Sequence, residues 1–144
     1  MIISETLVSN LEALSKFIPL FLDKIKFLLI EKDEIFDIRL CLEEALINAI
    51  KHGNKMDPGL FVKVNVDVKG GSLIIEVKDQ GEGFDFEKLL NPTQEENIKR
   101  TSGRGIFLIK RLMDKVEFFD GGRGIKMLKH FEKGGSREYK TRKI

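Results

Sequence analysis

Glu44 and Asn48 stand four residues apart in the run Glu43-Glu44-Ala45-Leu46-Ile47-Asn48-Ala49-Ile50-Lys51-His52-Gly53. With the 3.6-residue period of a helix, Asp37, Cys41, Glu44, Asn48, Lys51 and His52 fall on one polar stripe of an otherwise apolar surface. Such a stripe is either a solvated face or the wall of a cleft. Arg39 and Glu43 lie off it, four apart, and give solvent an ordinary ion pair elsewhere on the helix. In a cleft the two residue types are complementary. The Glu44 carboxylate can accept a proton from an attacking hydroxyl or water, and the Asn48 carboxamide oxygen suits a hard cation such as magnesium, which keeps most of its water. Lys51 would then meet a phosphate oxygen, and His52 either caps the helix end or joins the chemistry.

A second group is Asp79-Gln80-Gly81-Glu82-Gly83. Counting by twos from Leu73 through Ile75 and Val77 puts Asp79 on the core-facing side of a strand. A carboxylate there needs donors, from the protein or from a ligand such as the exocyclic amine of adenine; the alternative is a turn-starting Asp with an Asx-type bond beyond the sheet edge. Gly81 and Gly83 permit a close approach that side chains would block. The third group is Thr101-Ser102-Gly103-Arg104-Gly105, just before the apolar helix beginning at Ile106. A glycine turn feeding a helix start presents free N–H groups to an anion such as phosphate, or else is a plain N-cap.

These groups need elements to carry them. Ile2 to Val8 reads as an edge strand, and Ser9 and Glu12 stand at capping-box spacing before a helix carrying Leu11, Leu14, Ile18, Phe21, Ile25 and Leu28, with Pro19 as a bend or restart. A second helix, with Ile35, Ile38, Leu42, Ala45 and Ala49 on one stripe, runs to about His52 and stops at Gly53-Asn54. From residue 60 the period becomes two: Val62, Val64, Val66 and Val68, then a Gly70-Gly71 turn into Leu73, Ile75 and Val77, an antiparallel pair. Residues 84–102 read as a loop or lid, followed by a helix from Arg104 to Met113, a strand at Val116 to Phe119, a Gly121-Gly122 turn and a last strand near Ile125 to Phe131. The expected fold is α+β, a two-layer α/β sandwich with a mixed, mostly antiparallel sheet and helices on one face. Residues 1–133 form one domain in this reading, and 134–144 a basic, flexible tail.

Composition narrows the function classes. The 144 residues hold 25 Lys+Arg against 23 Asp+Glu, and a formal net charge of +2 is too small for the one-sign field of a nucleic-acid binder. The single Cys, Cys41, excludes an internal disulfide and a cysteine zinc cluster. No basic leader or long apolar run is present, so the expectation is a cytoplasmic protein without membrane contact. There is no GxxxxGK[ST], no third glycine of a dinucleotide fingerprint, no HExxH and no GxSxG.

Taken in order, Glu44 to Gly53, Asp79 to Gly83 and Ser102 to Gly105 resemble the N box and the two glycine boxes of the GHKL ATPase superfamily. Phe36-Asp37-Ile38-Arg39-Leu40, Gly83-Phe84-Asp85 and Gly105-Ile106-Phe107-Leu108-Ile109 are most similar to the anti-sigma-factor serine/threonine kinases of bacterial partner-switching systems. The resemblance implies a Bergerat fold using ATP and Mg2+. In it Asn48 holds the metal, Glu44 is the base, Asp79 binds adenine, Lys51, His52, Gly81 and Gly83 line the nucleotide site, and Ser102, Gly103, Arg104 and Gly105 contact phosphates under a lid at 84–102. The implied partners are a STAS-type anti-anti-sigma protein, a sigma factor and a second copy of the chain. Sensor histidine kinases usually carry Asn where Glu44 stands, so Glu44 favours a hydroxyl acceptor or ATP hydrolysis. One departure is Ile125 after Gly124, where relatives commonly have Thr near the adenine pocket. A non-catalytic, ATP-gated protein-binding switch of the same fold is the alternative reading.

Overall fold

The computed structural model describes residues 2–28, 30–83 and 103–131. The expected lid, Ser102 within it, and the basic tail lie outside the described residues. The elements run β1 (Ile3–Val8), α1 (Leu11–Ile25), α2 (Lys32–Ile47), a π-helical turn (Asn48–Gly53), β2 (Phe61–Lys69), β3 (Ser72–Lys78), α3 (Gly103–Leu112), β4 (Lys115–Phe119) and β5 (Gly124–His130). The five strands form one sheet in the order β1-β2-β3-β5-β4. All of its pairings among the described residues are antiparallel, so the sheet is not mixed there.

Alternation decides which face meets the helices. Val62, Val64 and Val66 of β2, Leu73, Ile75 and Val77 of β3, and Ile125 and Met127 of β5 are buried. The register brings Val64 opposite Val77, Val66 opposite Ile75 and Ile75 opposite Met127, which keeps every apolar row on one face. The helices cover that face with Phe17, Ile18, Phe21 and Ile25 of α1, Ile38, Leu42 and Leu46 of α2, and Ile106 and Ile109 of α3, in one continuous core. Each such side chain contributes roughly 1.5–3 kcal/mol of burial. The polar residues between them, such as Lys63, Asn65 and Lys126, leave the opposite face to water, where the Ser4 hydroxyl donates to Asn65 Oδ1 at 3.0 Å.

Three local expectations change. The cap of α1 is Asn10, whose Oδ1 accepts from the Ala13 N–H at 2.8 Å. Ser9 is buried instead, donating to the Leu60 carbonyl at 2.8 Å and accepting from Asn54 Nδ2 at 2.7 Å. Pro19 lies inside α1 without marking a restart; it and Ser15, whose carbonyl it leaves without an intrahelical donor, are both exposed to water. The second helix does not run on as α-helix to His52 but widens to a π turn at Asn48, closed by Asn54 N–H on the Ala49 carbonyl and Met56 N–H on the Ile50 carbonyl, both at 2.8 Å.

Lys129 is a buried charge on the core-facing side of β5, opposite Leu73. Its ammonium donates to the Leu112 carbonyl at 2.7 Å, at the negative end of α3, which satisfies both groups. Cys41 is fully buried in the same layer, and burial pushes its thiol up to about 12.

The two serine and asparagine roles are separable by urea unfolding. Asn10→Ala is expected to lower stability by about 1 kcal/mol, the usual worth of a cap. Ser9→Ala is expected to cost more, about 2 kcal/mol, because it strands a buried carbonyl and an Asn54 donor. Equal losses, or a larger one at residue 10, would contradict the assignment.

Candidate functional site

The π turn, the end of β3 and the turn between β4 and β5 meet around a cavity of about 240 Å3. Its walls are Ala45, Asn48, Ala49, His52, Gly53 and Lys55 on the helix side, and Val77, Asp79, Glu82 and Gly83 after β3. Ile106 of α3, Phe118 of β4 and Gly122, Arg123, Gly124 and Ile125 complete it. Two of the three sequence groups therefore share one cavity, and the third abuts it through Ile106.

Asp79 forms the floor and is only 6% exposed. Both sequence alternatives hold at once. The side chain lies on the buried side, and its Oδ1 accepts from the Gly81 N–H at 2.8 Å as an Asx-type bond. Burial pushes its carboxyl above the ordinary 3.8, opposed by the Gly81 N–H and the Arg123 guanidinium. The helix end packs directly on it: a Cβ on Gly53 would overlap the Asp79 carboxylate, and one on Gly81 would run into the Gly53 carbonyl. Close contact, not dihedral angle, calls for glycine at both places: backbone contact at Gly81 and the Asp79 side chain at Gly53.

Asn48 carries the clearest signal. Both polar atoms of its carboxamide are buried, and neither has a hydrogen-bond partner among the described residues. Buried amides almost always have one, so this side chain is shaped for a ligand that accepts from Nδ2 or takes Oδ1 as a donor oxygen. A hard cation fits the carbonyl oxygen.

Glu44 is placed differently. It does not line the cavity but sits beside the first turn of α3, where a Cβ on Gly105 would meet its carboxylate. Burial, then the neighbouring Glu43, raises its pKa above the ordinary 4.5. His52 lines the cavity, and burial followed by the charge of Lys51 lowers its pKa, which keeps the ring neutral. Lys51, within the π turn, is exposed and outside the lining. Gly103 opens α3, Arg104 is exposed, and Gly105 is buried under Glu44. Gly81 and Gly83 flank the floor. A Cβ on Gly83, whose φ is +82°, would strike the Gly121 carbonyl.

Two organising residues were not foreseen. Asn54 is 1% exposed and joins four segments: Nδ2 donates to Ser9 Oγ and, at 2.9 Å, to the Phe61 carbonyl, while Oδ1 accepts from the Gln80 N–H at 2.8 Å. Gln80 Oε1 in turn accepts from the Phe61 N–H at 2.7 Å. Arg123 donates through Nε to the Gly81 carbonyl at 2.8 Å. In the sequence Asn54 reads as a helix stop, and Arg123 only follows the Gly121-Gly122 turn; the β3–β5 register, with Lys78 opposite Gly124, brings position 123 beside position 79.

Residues 7–129 match the model of the histidine kinase-like ATPase domain. A serine-protein kinase RsbW from Staphylococcus epidermidis is 35% identical over 109 residues, covering 70% of this chain and 69% of that protein. The RsbW of a Staphylococcus aureus strain is 32% identical over the same lengths. Among solved structures, the RsbU and RsbW domains of Rv1364c from Mycobacterium tuberculosis superpose with a TM-score of 0.58 at 17% identity over 89% of this chain. This chain spans 31% of that longer one, and the likeness is one of fold.

The raised carboxyl of Asp79 has a stability signature. Its folded pKa exceeds the unfolded value near 3.8, so the folded protein binds the extra proton and gains stability as pH falls from above the raised pKa towards 3.8. Asp79→Asn is expected to melt at or above the wild-type temperature at pH 7 and to lose that acid-side gain. A variant with the wild-type slope between pH 7 and pH 4 would contradict the burial argument.

Proposed function

This chain belongs to the histidine kinase-like ATPase domain family, and on that premise we propose that it is an ATP-dependent serine/threonine protein kinase acting as an anti-sigma factor. Its acceptor in this reading is a STAS-type anti-anti-sigma protein, and it binds a sigma factor when that antagonist is phosphorylated. The observation that carries the reading is the orphaned Asn48 carboxamide, held in one cavity with the buried Asp79 carboxylate. The similarity to RsbW kinases supports the same class.

Each residue then has a defined task. Asp79 accepts the exocyclic amine of adenine, while Val77, Ile106, Phe118 and Ile125 supply apolar walls for the ring. Asn48 Oδ1 would hold magnesium, which when bound neutralises phosphate charge. The N-terminus of α3, from Gly103, would present backbone N–H groups to phosphate oxygens that become more negative during transfer. Glu44 lies beside that turn, and its raised pKa makes it a better proton acceptor. The acceptor hydroxyl attacks the γ-phosphorus, its proton passes to Glu44, and the bond to the β–γ bridging oxygen breaks, leaving ADP.

Incubation with γ-labelled ATP and a STAS protein tests the reading directly. Label on Ser or Thr supports the kinase; a tight nucleotide-dependent complex without label supports the switch. Glu44→Gln is expected to lower transfer by about 100-fold or more, the range of general-base catalysis, with ATP affinity within about threefold of wild type. Equal turnover would refute the role of Glu44. Gly105→Ala is expected to fold normally, because the added methyl meets only the end of a flexible side chain, yet to displace the Glu44 carboxylate and slow transfer by about tenfold or more. Unchanged transfer in a folded Gly105→Ala protein would dissociate Glu44 from the reaction.

A further inference from the structure

Arg123 makes bonds that a surface arginine does not need. Its Nε donates to the Gly81 carbonyl at 2.8 Å and its Nη1 to the Asp120 carbonyl at 3.1 Å, whereas the Asp120 carboxylate lies 3.8 Å away. Two donors of one planar fork thus join the turn at 120–123 to the loop after β3. The backbone repeats the connection, since the Asp79 N–H donates to the Arg123 carbonyl at 3.0 Å. Lys78 Nζ fixes the far side of the turn, 2.9 Å from Asp120 Oδ2.

Gly81 is consequently held at both ends. Its carbonyl is taken by Arg123, and its N–H is the donor that orients Asp79 Oδ1. Among the described residues the Gly81 N–H is the one hydrogen-bond donor to that carboxylate, and Gly81 has no side chain of its own to resist rotation. We infer that Arg123 is a positioning residue for base recognition: its guanidinium clasps the 120–123 turn onto Gly81 and so fixes the direction in which the Asp79 carboxylate faces the purine. The inference rests on the reading of Asp79 as the adenine acceptor and extends it to a residue outside the three sequence boxes. Arg123 acts through Gly81 and Asp79, without a chemical step of its own.

The test is a cycle between protein and base, read by calorimetric titration with ATP and with ITP, in which a carbonyl replaces the exocyclic amine. Wild type is expected to favour ATP by about tenfold or more, as for a hydrogen bond to a charged acceptor. Arg123→Gln is expected to reduce that ratio at least about fivefold, ATP affinity falling more than ITP affinity. Arg123→Lys, which keeps the charge but cannot span both carbonyls, is expected to do the same. Burial of Cys41 supplies a fold check, since its thiol resists alkylation at pH 8 while the core is closed. A wild-type ratio near one overturns the base assignment of Asp79, and this inference with it. A wild-type preference that persists in both folded variants overturns the clasp alone. Parallel loss of ATP and ITP affinity also overturns it, because a general loosening does not discriminate between bases.

Discussion

The site depends on a backbone contact with no spare volume. The end of the π turn lies so close to the end of β3 that Gly53 abuts the Asp79 carboxylate and the Gly53 carbonyl abuts Gly81. A methyl on Gly81 would push the Gly53 carbonyl, and the helix end with it, away from the sheet edge, while one on Gly53 would displace the Asp79 carboxylate. Asn54, the next residue, fixes this contact with three side-chain hydrogen bonds reaching Ser9, Phe61 and Gln80. A single buried amide thus ties the start of α1, the start of β2 and the loop after β3 to the helix end that presents Asn48.

Two acids in this neighbourhood are pushed in the same direction by burial, but their other neighbours differ. Asp79 is desolvated but given a backbone donor and a nearby guanidinium, which favour the ionised form and suit the acceptor role proposed for it. Glu44 is desolvated beside Glu43. That environment raises proton affinity, in keeping with the base role proposed for it. The Asn48 amide, buried without a hydrogen-bond partner among the described residues, is the complementary case, a polar group whose burial cost the proposed ligand would offset.

Much of this architecture was legible in the sequence because it rests on periodicity. The Val62–Val66 and Leu73–Val77 alternations specify two strands, their pairing and the buried parity of Asp79, all of which the structure contains. The π turn was not legible: nothing in Asn48-Ala49-Ile50-Lys51-His52 departs from an α-helical pattern, and the turn ends at Gly53 and Asn54, which pack on and bond to distant segments. Within it Lys51 is exposed while His52 lines the cavity. Asn10 and Ser9 show the same limit. Both are good caps by type, and only the buried position of Ser9 beside Asn54 decides between them. Arg123 was hidden because its role follows from a pairing across distant segments.

The strand order also has a consequence for how such a chain can vary. β3 and β5 are neighbours in the middle of the sheet although α3 and β4 lie between them in the chain, so their pairing rests on register across distant segments and not on a tight turn. The entropy of closing a flexible connection grows only with the logarithm of its length, about 0.6 kcal/mol for a doubling. A change in the length of chain between Lys78 and Gly124 is therefore cheap for that pairing, and the same rows of side chains can meet across β3 and β5 in chains of different length.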